Sequence, residues 1–109
     1  MRENESAELL ARAGYRVEQK PVVPGSKEPD YRIEGRIFDN YAPSTGHPRN
    51  IWSEIQEKIE DGQAYRIVLN LDDSPVTLEA LRRQFKDWPM PGLKEVIVVQ
   101  GGRVIPFWP

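Results

Sequence analysis

A chain of 109 residues with no cysteine is the length of one ordinary domain, and it excludes disulfides, thiolate metal sites and cysteine nucleophiles. Fifteen basic residues face seventeen acidic ones, so any contact with nucleic acid must come from a local patch of cations rather than an overall basic surface. No apolar run approaches the length of a membrane span, and Met1-Arg2 leads straight into Glu3-Asn4-Glu5 with no signal peptide, so an export address is expected on a longer parent chain.

Residues 4–13 read as a helix, with Asn4 as its cap and Gly14 as the left-handed residue that ends it. Ala7, Leu10 and Ala11 share its inward face, and Glu3 projects from that face one turn earlier. Arg16–Gln19 is expected as a first strand, followed by a loop containing Pro21, Pro24, Gly25 and Pro29. Tyr31–Glu34 and Arg36–Tyr41 read as two strands of a hairpin closed around Gly35. After the polar loop Ala42–Pro48, Asn50 is expected to cap a second helix that runs to about Asp61. Ile51, Trp52, Ile55 and Ile59 form its apolar stripe.

Tyr65–Leu71 is an almost continuous apolar run, the pattern of a strand covered on both faces. Thr77 to about Trp88 reads as a third helix with Leu78, Leu81 and Phe85 inward. Val96–Val99 and Val104–Phe107 close the chain as two strands joined by Gly101-Gly102. The expected fold is a single α/β (α+β) domain over residues 1–109, a mixed central sheet flanked by helices in the order α-β-β-β-α-β-α-β-β. The helix between the third and fourth strands predicts a parallel pairing there.

Three carboxylates stand out as chemistry. Asp30 opens the second strand and Asp39 lies near the end of its hairpin neighbour, so a suitable register sets them side by side. Glu3 begins the first helix on its inward face. Hard cations such as Mg²⁺ take oxygen ligands of this kind and also bind substrate phosphates. Each acid also has an ordinary explanation: a loop exit after Pro29, a turn at Asp39-Asn40, and the favourable end of a helix dipole for Glu3.

Beyond Asp39, the residues Asn40, Ser44, Thr45 and Arg49, with Arg36 on the strand before, are candidates for gripping phosphates. Arg32, Arg36, Arg49, Lys58 and Arg66 are the candidate basic patch, and Arg82-Arg83 reads as a solvated face. His47, the one histidine, is a candidate general acid or base, and a two-histidine mechanism is excluded. Between Gly46 and Pro48 it also reads as a plain solvated loop residue. Trp52 is read as core.

The helix with Glu3, the Pro29-Asp30 pair opening strand two and Asp39 in strand three together resemble the PD-(D/E)xK nuclease superfamily. The stretch "ENESAELLARAGYRV" is similar to the opening of its Holliday-junction resolvase branch. The resemblance implies Glu3, Asp30 and Asp39 as ligands of a divalent cation, Mg²⁺ foremost. The superfamily places a lysine two residues after the strand-three acid, where this chain has Tyr41. Lys58, seven residues after Ile51 on the edge of the second helix's inward stripe, is the substitute cation. Its alternative is an i,i+4 pair with Glu54.

The segments "AELLARAGYRVEQ", "PDYRIEGRIFDNYAPST", "IVLNLDDSPVTLEAL" and "GLKEVIVVQGGRVIPF" cover nearly the whole chain. They resemble the C-terminal toxin domains of contact-dependent growth inhibition proteins (CdiA) and related polymorphic toxins. That resemblance implies a ribonuclease that cleaves tRNA in the cytoplasm of a target bacterium, part of a larger exported protein, with a cognate immunity protein as partner. Some such toxins have the barnase–EndoU–colicin–RelE fold and need no metal. Three readings therefore stand side by side: a metal-dependent tRNase in which Glu3, Asp30 and Asp39 hold the ion, Lys58 or Tyr41 assists and Arg36 and Arg49 grip phosphates; a metal-free nuclease using His47, Tyr41 and an acid; and a non-catalytic interaction or immunity module.

Overall fold

The computed structural model describes residues 3–21, 29–62 and 64–109. The Pro24-Gly25 part of the expected loop lies outside the described residues. The element order is α1 (Glu3–Arg12), β1 (Val17–Gln19), β2 (Tyr31–Ile33), β3 (Arg36–Tyr41), α2 (Pro48–Glu60), β4 (Arg66–Asn70), α3 (Leu78–Asp87), β5 (Glu95–Gln100) and β6 (Arg103–Trp108). The strands form one mixed sheet in sequential order, β1 to β6. β1, β2 and β3 are an antiparallel meander. β3, β4 and β5 are parallel neighbours, and β6 returns antiparallel to β5. The expected parallel pairing of the third and fourth strands is therefore present, with α2 as the crossover.

Strand parity divides the core between the two faces of the sheet. Ile67, Leu69, Val96 and Val98 pack under α2 and α3, against Ile51, Ile55, Leu81 and Phe85. Val68, Ile97 and Val99 point the other way, with Tyr31, Ile33 and Phe38, against Ala7 and Leu10 of α1. The unbroken apolar runs of β4 and β5 thus come from burial on both faces. The result is three layers, with α1 on one side and α2 with α3 on the other.

The β2–β3 hairpin turns on Glu34 and Gly35, whose φ angles are +51° and +79°. Positive φ at both central residues is the two-residue turn whose twist matches paired strands. Glycine adopts it freely, and Glu34 is held in it by its carboxylate, which accepts from the Arg16 backbone N–H at 3.0 Å. That backbone hydrogen bond, reinforced by the Arg16 guanidinium, holds the Glu34 carboxyl below its ordinary value. The turn sets the register: Ile33 faces Arg36, Arg32 faces Ile37 and Tyr31 faces Phe38.

Two helix starts differ from expectation. α2 begins at Pro48, with His47 in the cap position. Proline is preorganised for a first helical position, where its missing N–H costs no hydrogen bond. The His47 carbonyl accepts from the N–H groups of Asn50 and Ile51, so Asn50 lies inside the first turn and does not cap. Asn4 likewise lies inside α1, where its Oδ1 accepts from Gln19 Nε2 at 2.7 Å. Thr77 caps α3 through its hydroxyl, which accepts from the Ala80 N–H at 3.2 Å. Trp52 is only partly buried, and its indole N–H donates to the Trp88 carbonyl at 2.8 Å. Among the described residues no helix is long and apolar enough to cross a membrane.

Candidate active site

One further step along the hairpin register sets Asp30 opposite Asp39. Both side chains lie on the sheet face covered by α2. Asp30 Oδ2 accepts from the Asn40 backbone N–H at 2.8 Å, which fixes its carboxylate at the end of the ladder. The two aspartate side chains are in hydrogen-bond contact. Lys58, in the last turns of α2, reaches down to Asp39 Oδ2 at 3.0 Å. The helix face that buries Ile51, Ile55 and Ile59 also delivers Lys58, since seven residues are close to two helical turns. The lysine thus pairs with Asp39 across the sheet rather than with Glu54 along its own helix.

Asp39 is only 7% exposed. Burial, and then the hydrogen bond that its protonated carboxyl donates to Asp30, push it up to about 6 despite the opposing pull of Lys58. Tyr41 shares the face of Asp39, and the Lys58 ammonium lies 5.8 Å from its ring centroid. Burial, and then Glu54 and Glu57, raise the Tyr41 phenol to about 12, so it is a neutral hydrogen-bond donor near pH 7. Strand three has no lysine at that position, and the Lys58 ammonium of the helix above it lies beside Asp39 and Tyr41.

Glu3 sits on the opposite side of the sheet end. Its backbone carbonyl accepts from the Tyr31 hydroxyl at 2.7 Å, and its carboxylate lies 3.8 Å from Lys20. Among the described residues no three His, Cys, Asp or Glu side chains gather closely enough to hold a metal ion by themselves. Asp30 and Asp39 meet directly; Glu3 does not join them in a ready ligand set. The pair still presents hard oxygen donors beside an acid whose buried charge is unfavourable. Mg²⁺ suits such a pair, since it uses one or two carboxylates and completes its shell with water and substrate phosphate.

A buried polar network supports this end of the sheet from the α1 side. Tyr31 donates to the Glu3 carbonyl and contacts Asn40 Oδ1 at 3.3 Å. Asn70 Nδ2 donates to Ser6 Oγ at 2.9 Å, and its Oδ1 accepts from the Asp72 N–H. Burial drives the Tyr31 phenol well above its ordinary range. Sequence reasoning did not single out Tyr31, Ser6 or Asn70. The available signal was a lone asparagine within the apolar run of β4 and a serine between the inward residues of α1, because buried polar groups need partners.

The other expected residues scatter. Asn40 is buried on the α1 face with Tyr31, so its side chain supports the fold rather than facing a phosphate. Arg32 pairs with Glu18 at 3.0 Å and Arg66 with Glu95 at 3.3 Å. With Lys58 held by Asp39, the five-cation patch does not assemble. Arg36 is exposed at the far end of β3, on the opposite strand parity from Asp39. His47 is exposed at the start of α2, about 16 Å along the helix from Lys58. Arg49 is exposed near it, beside Arg83 and Trp88. Ser44 and Thr45 line a cleft that opens next to Tyr41.

Residues 27–105 match the family described as "Contact-dependent growth inhibition CdiA C-terminal domain". Over 99 residues the chain is 52% identical to a protein of Burkholderia pseudomallei (strain 1026b) named tRNA nuclease CdiA-2. The match takes in 91% of this chain and 3% of that much longer protein. The fold superposes on a solved chain of the CdiA-CT/CdiI toxin and immunity complex from Burkholderia pseudomallei with a TM-score of 0.93. That superposition covers 99% of this chain and 83% of the other, at 49% identity. The chain belongs to the CdiA C-terminal domain family of contact-dependent growth inhibition.

Proposed function

We propose that the chain is a toxin ribonuclease that hydrolyses a phosphodiester bond of tRNA. It acts in the cytoplasm of a competing bacterium, as the delivered end of a larger CdiA-type protein, and a cognate immunity protein holds it inactive in the producing cell. The observation that carries this reading is the contact of Asp30, Asp39 and Lys58 at one end of the sheet, in a chain 52% identical to a named tRNA nuclease. The PD-(D/E)xK reading draws support from the placement of the two aspartates on adjacent strands.

In this reading Asp30 and Asp39 hold a divalent cation, Mg²⁺ foremost, and Glu3 supports the site through water. When bound, the ion supplies charge neutralisation at the scissile phosphate and a more acidic water. Asp30 and Asp39 are both charged in that complex, since an opposite charge at hand favours the ionised carboxylate, and the attacking water releases its proton to solvent. As the water oxygen bonds to phosphorus and the P–O bond to the leaving ribose oxygen breaks, the Lys58 ammonium steadies the charge on the phosphoryl oxygens. The leaving oxygen then takes a proton from solvent. A metal-free mechanism through His47 has less support, since His47 is exposed and distant from Asp39, and the Tyr41 phenol stays protonated.

Purified domain incubated with total tRNA, with and without EDTA, tests the reading. Discrete tRNA cleavage that stops with chelator and resumes with added Mg²⁺ is the expected result. Cleavage unaffected by EDTA overturns the cation assignment, and no cleavage in either arm overturns the enzymatic reading. Co-expression of the cognate immunity protein is expected to relieve growth arrest.

A further inference from the structure

Next to the Asp39–Lys58 pair, a cleft of about 450 Å³ opens between loop 42–45 and the first half of α2. Small-ligand clefts span roughly 300–1,000 Å³. Tyr41, Ser44, Thr45, Asn50, Ser53 and Glu54 line it. Tyr41 connects the two places, since it forms a wall of the cleft and lies beneath the Lys58 ammonium. A group bound in the cleft is therefore adjacent to whatever lies at Lys58.

The lining has a definite chemistry. It has hydroxyls, an amide and one carboxylate, and it has no lysine or arginine. A phosphate there meets Glu54 and no cation. The complementary group carries no negative charge and offers hydrogen-bond donors to Glu54. The loop wall is also held in place before any ligand arrives. The Ser74 hydroxyl donates to the Thr45 carbonyl at 2.6 Å, and the His47 N–H donates to Thr45 Oγ1 at 3.2 Å. The Pro75 ring packs so closely on Gly46 that an added Cβ would come within 2.7 Å of it.

Building on the nuclease reading above, we propose that this cleft is a specificity pocket for one unpaired base flanking the scissile phosphate. Glu54 accepts hydrogen bonds from the donors on that base's Watson–Crick edge. Guanine is the preferred occupant, because its N1–H and N2 amino group offer two adjacent donors to the two carboxylate oxygens. The Tyr41 ring gives the base an apolar surface, and Asn50 and Ser53 stand beside its edge. Sequence-specific proteins commonly read RNA through unpaired bases in this way.

The test compares wild type, Glu54→Gln, Ser53→Ala and Asp39→Asn in cleavage of a tRNA that the wild type cuts. The cut is mapped, and guanosines flanking it are replaced one at a time by inosine, which lacks the 2-amino group. For Glu54→Gln, KM is expected to rise about tenfold, as for a lost charge-assisted hydrogen bond, and the guanosine preference over inosine to disappear. Ser53→Ala is expected to shift KM less and to keep that preference. Wild-type KM and unchanged base preference in Glu54→Gln overturn the pocket if Asp39→Asn is inactive. Active Asp39→Asn overturns the nuclease site on which the pocket depends. Glu54 and Ser53 are not buried, so both variants keep the fold in which the result is read.

Discussion

The two ends of α2 carry similar residue types and have opposite fates. At its C-terminal end Lys58 is drawn down onto a nearly buried aspartate, which in turn meets a second aspartate on the neighbouring strand. At its N-terminal end His47 and Arg49 are exposed, and among the described residues neither forms an ion pair. A titratable residue near the right strand is a candidate at either end. Only the first end is constrained from three elements at once, by the hairpin register, the α2 stripe and the Asp30–Asn40 hydrogen bond. Charges held close together against desolvation are the arrangement that tunes a group for chemistry.

The largest expected effect follows from breaking the constrained end. Asp30→Ala and Asp39→Ala should each lower tRNA cleavage by more than about 10³-fold, beyond the loss of a single transition-state donor, because each removes a carboxylate that holds the ion. Circular dichroism should remain that of the folded domain. Wild-type turnover in either folded variant removes that acid from the mechanism. Lys58→Met should follow, with turnover reduced by about 10²–10³ and KM little changed, because the interaction strengthens only as charge develops. A rise in KM alone assigns Lys58 to binding.

The hairpin that aligns the acids gives an intermediate effect. Gly35→Val forces a β-branched residue into positive φ, at a cost of about 1–2 kcal/mol. The melting temperature should fall by about 5–10 °C. Cleavage should fall further than Asp39 burial alone accounts for, since register sets the Asp30–Asp39 contact. Unchanged Tm and rate separate the turn from the site. The smallest effect belongs to the other end of α2: His47→Ala should change turnover by less than about threefold, in line with an exposed loop residue. A near-dead His47→Ala reverses the comparison between the two ends.

How far the sequence was legible divides along the same line. Element order followed from apolar periodicity, because β4 and β5 are covered on both sides and α2 and α3 on one. The Asp30–Asp39 meeting was also readable, since a tight turn at Glu34-Gly35 leaves one register. Contacts between distant elements were not. Arg32 and Arg66 look like free cations until register sets Glu18 and Glu95 beside them. Asn40 looks like the start of a polar loop, yet it is the last buried residue of β3 on the α1 side. The choice of Lys58 between Glu54 and Asp39 depended on how closely α2 lies over β3, a distance that local spacing does not encode.

The claim that Asp39 and Lys58 act as one unit is tested most directly by a double-mutant cycle on single-turnover tRNA cleavage, with Asp39→Asn, Lys58→Met and the pair together. Groups that function as a unit are strongly non-additive. The double variant is expected to be no slower than the slower single variant, with a coupling that equals most of the smaller single effect. Losses that simply multiply would mean that the two side chains act independently, and that their 3.0 Å contact is an ion pair without a shared role in the reaction.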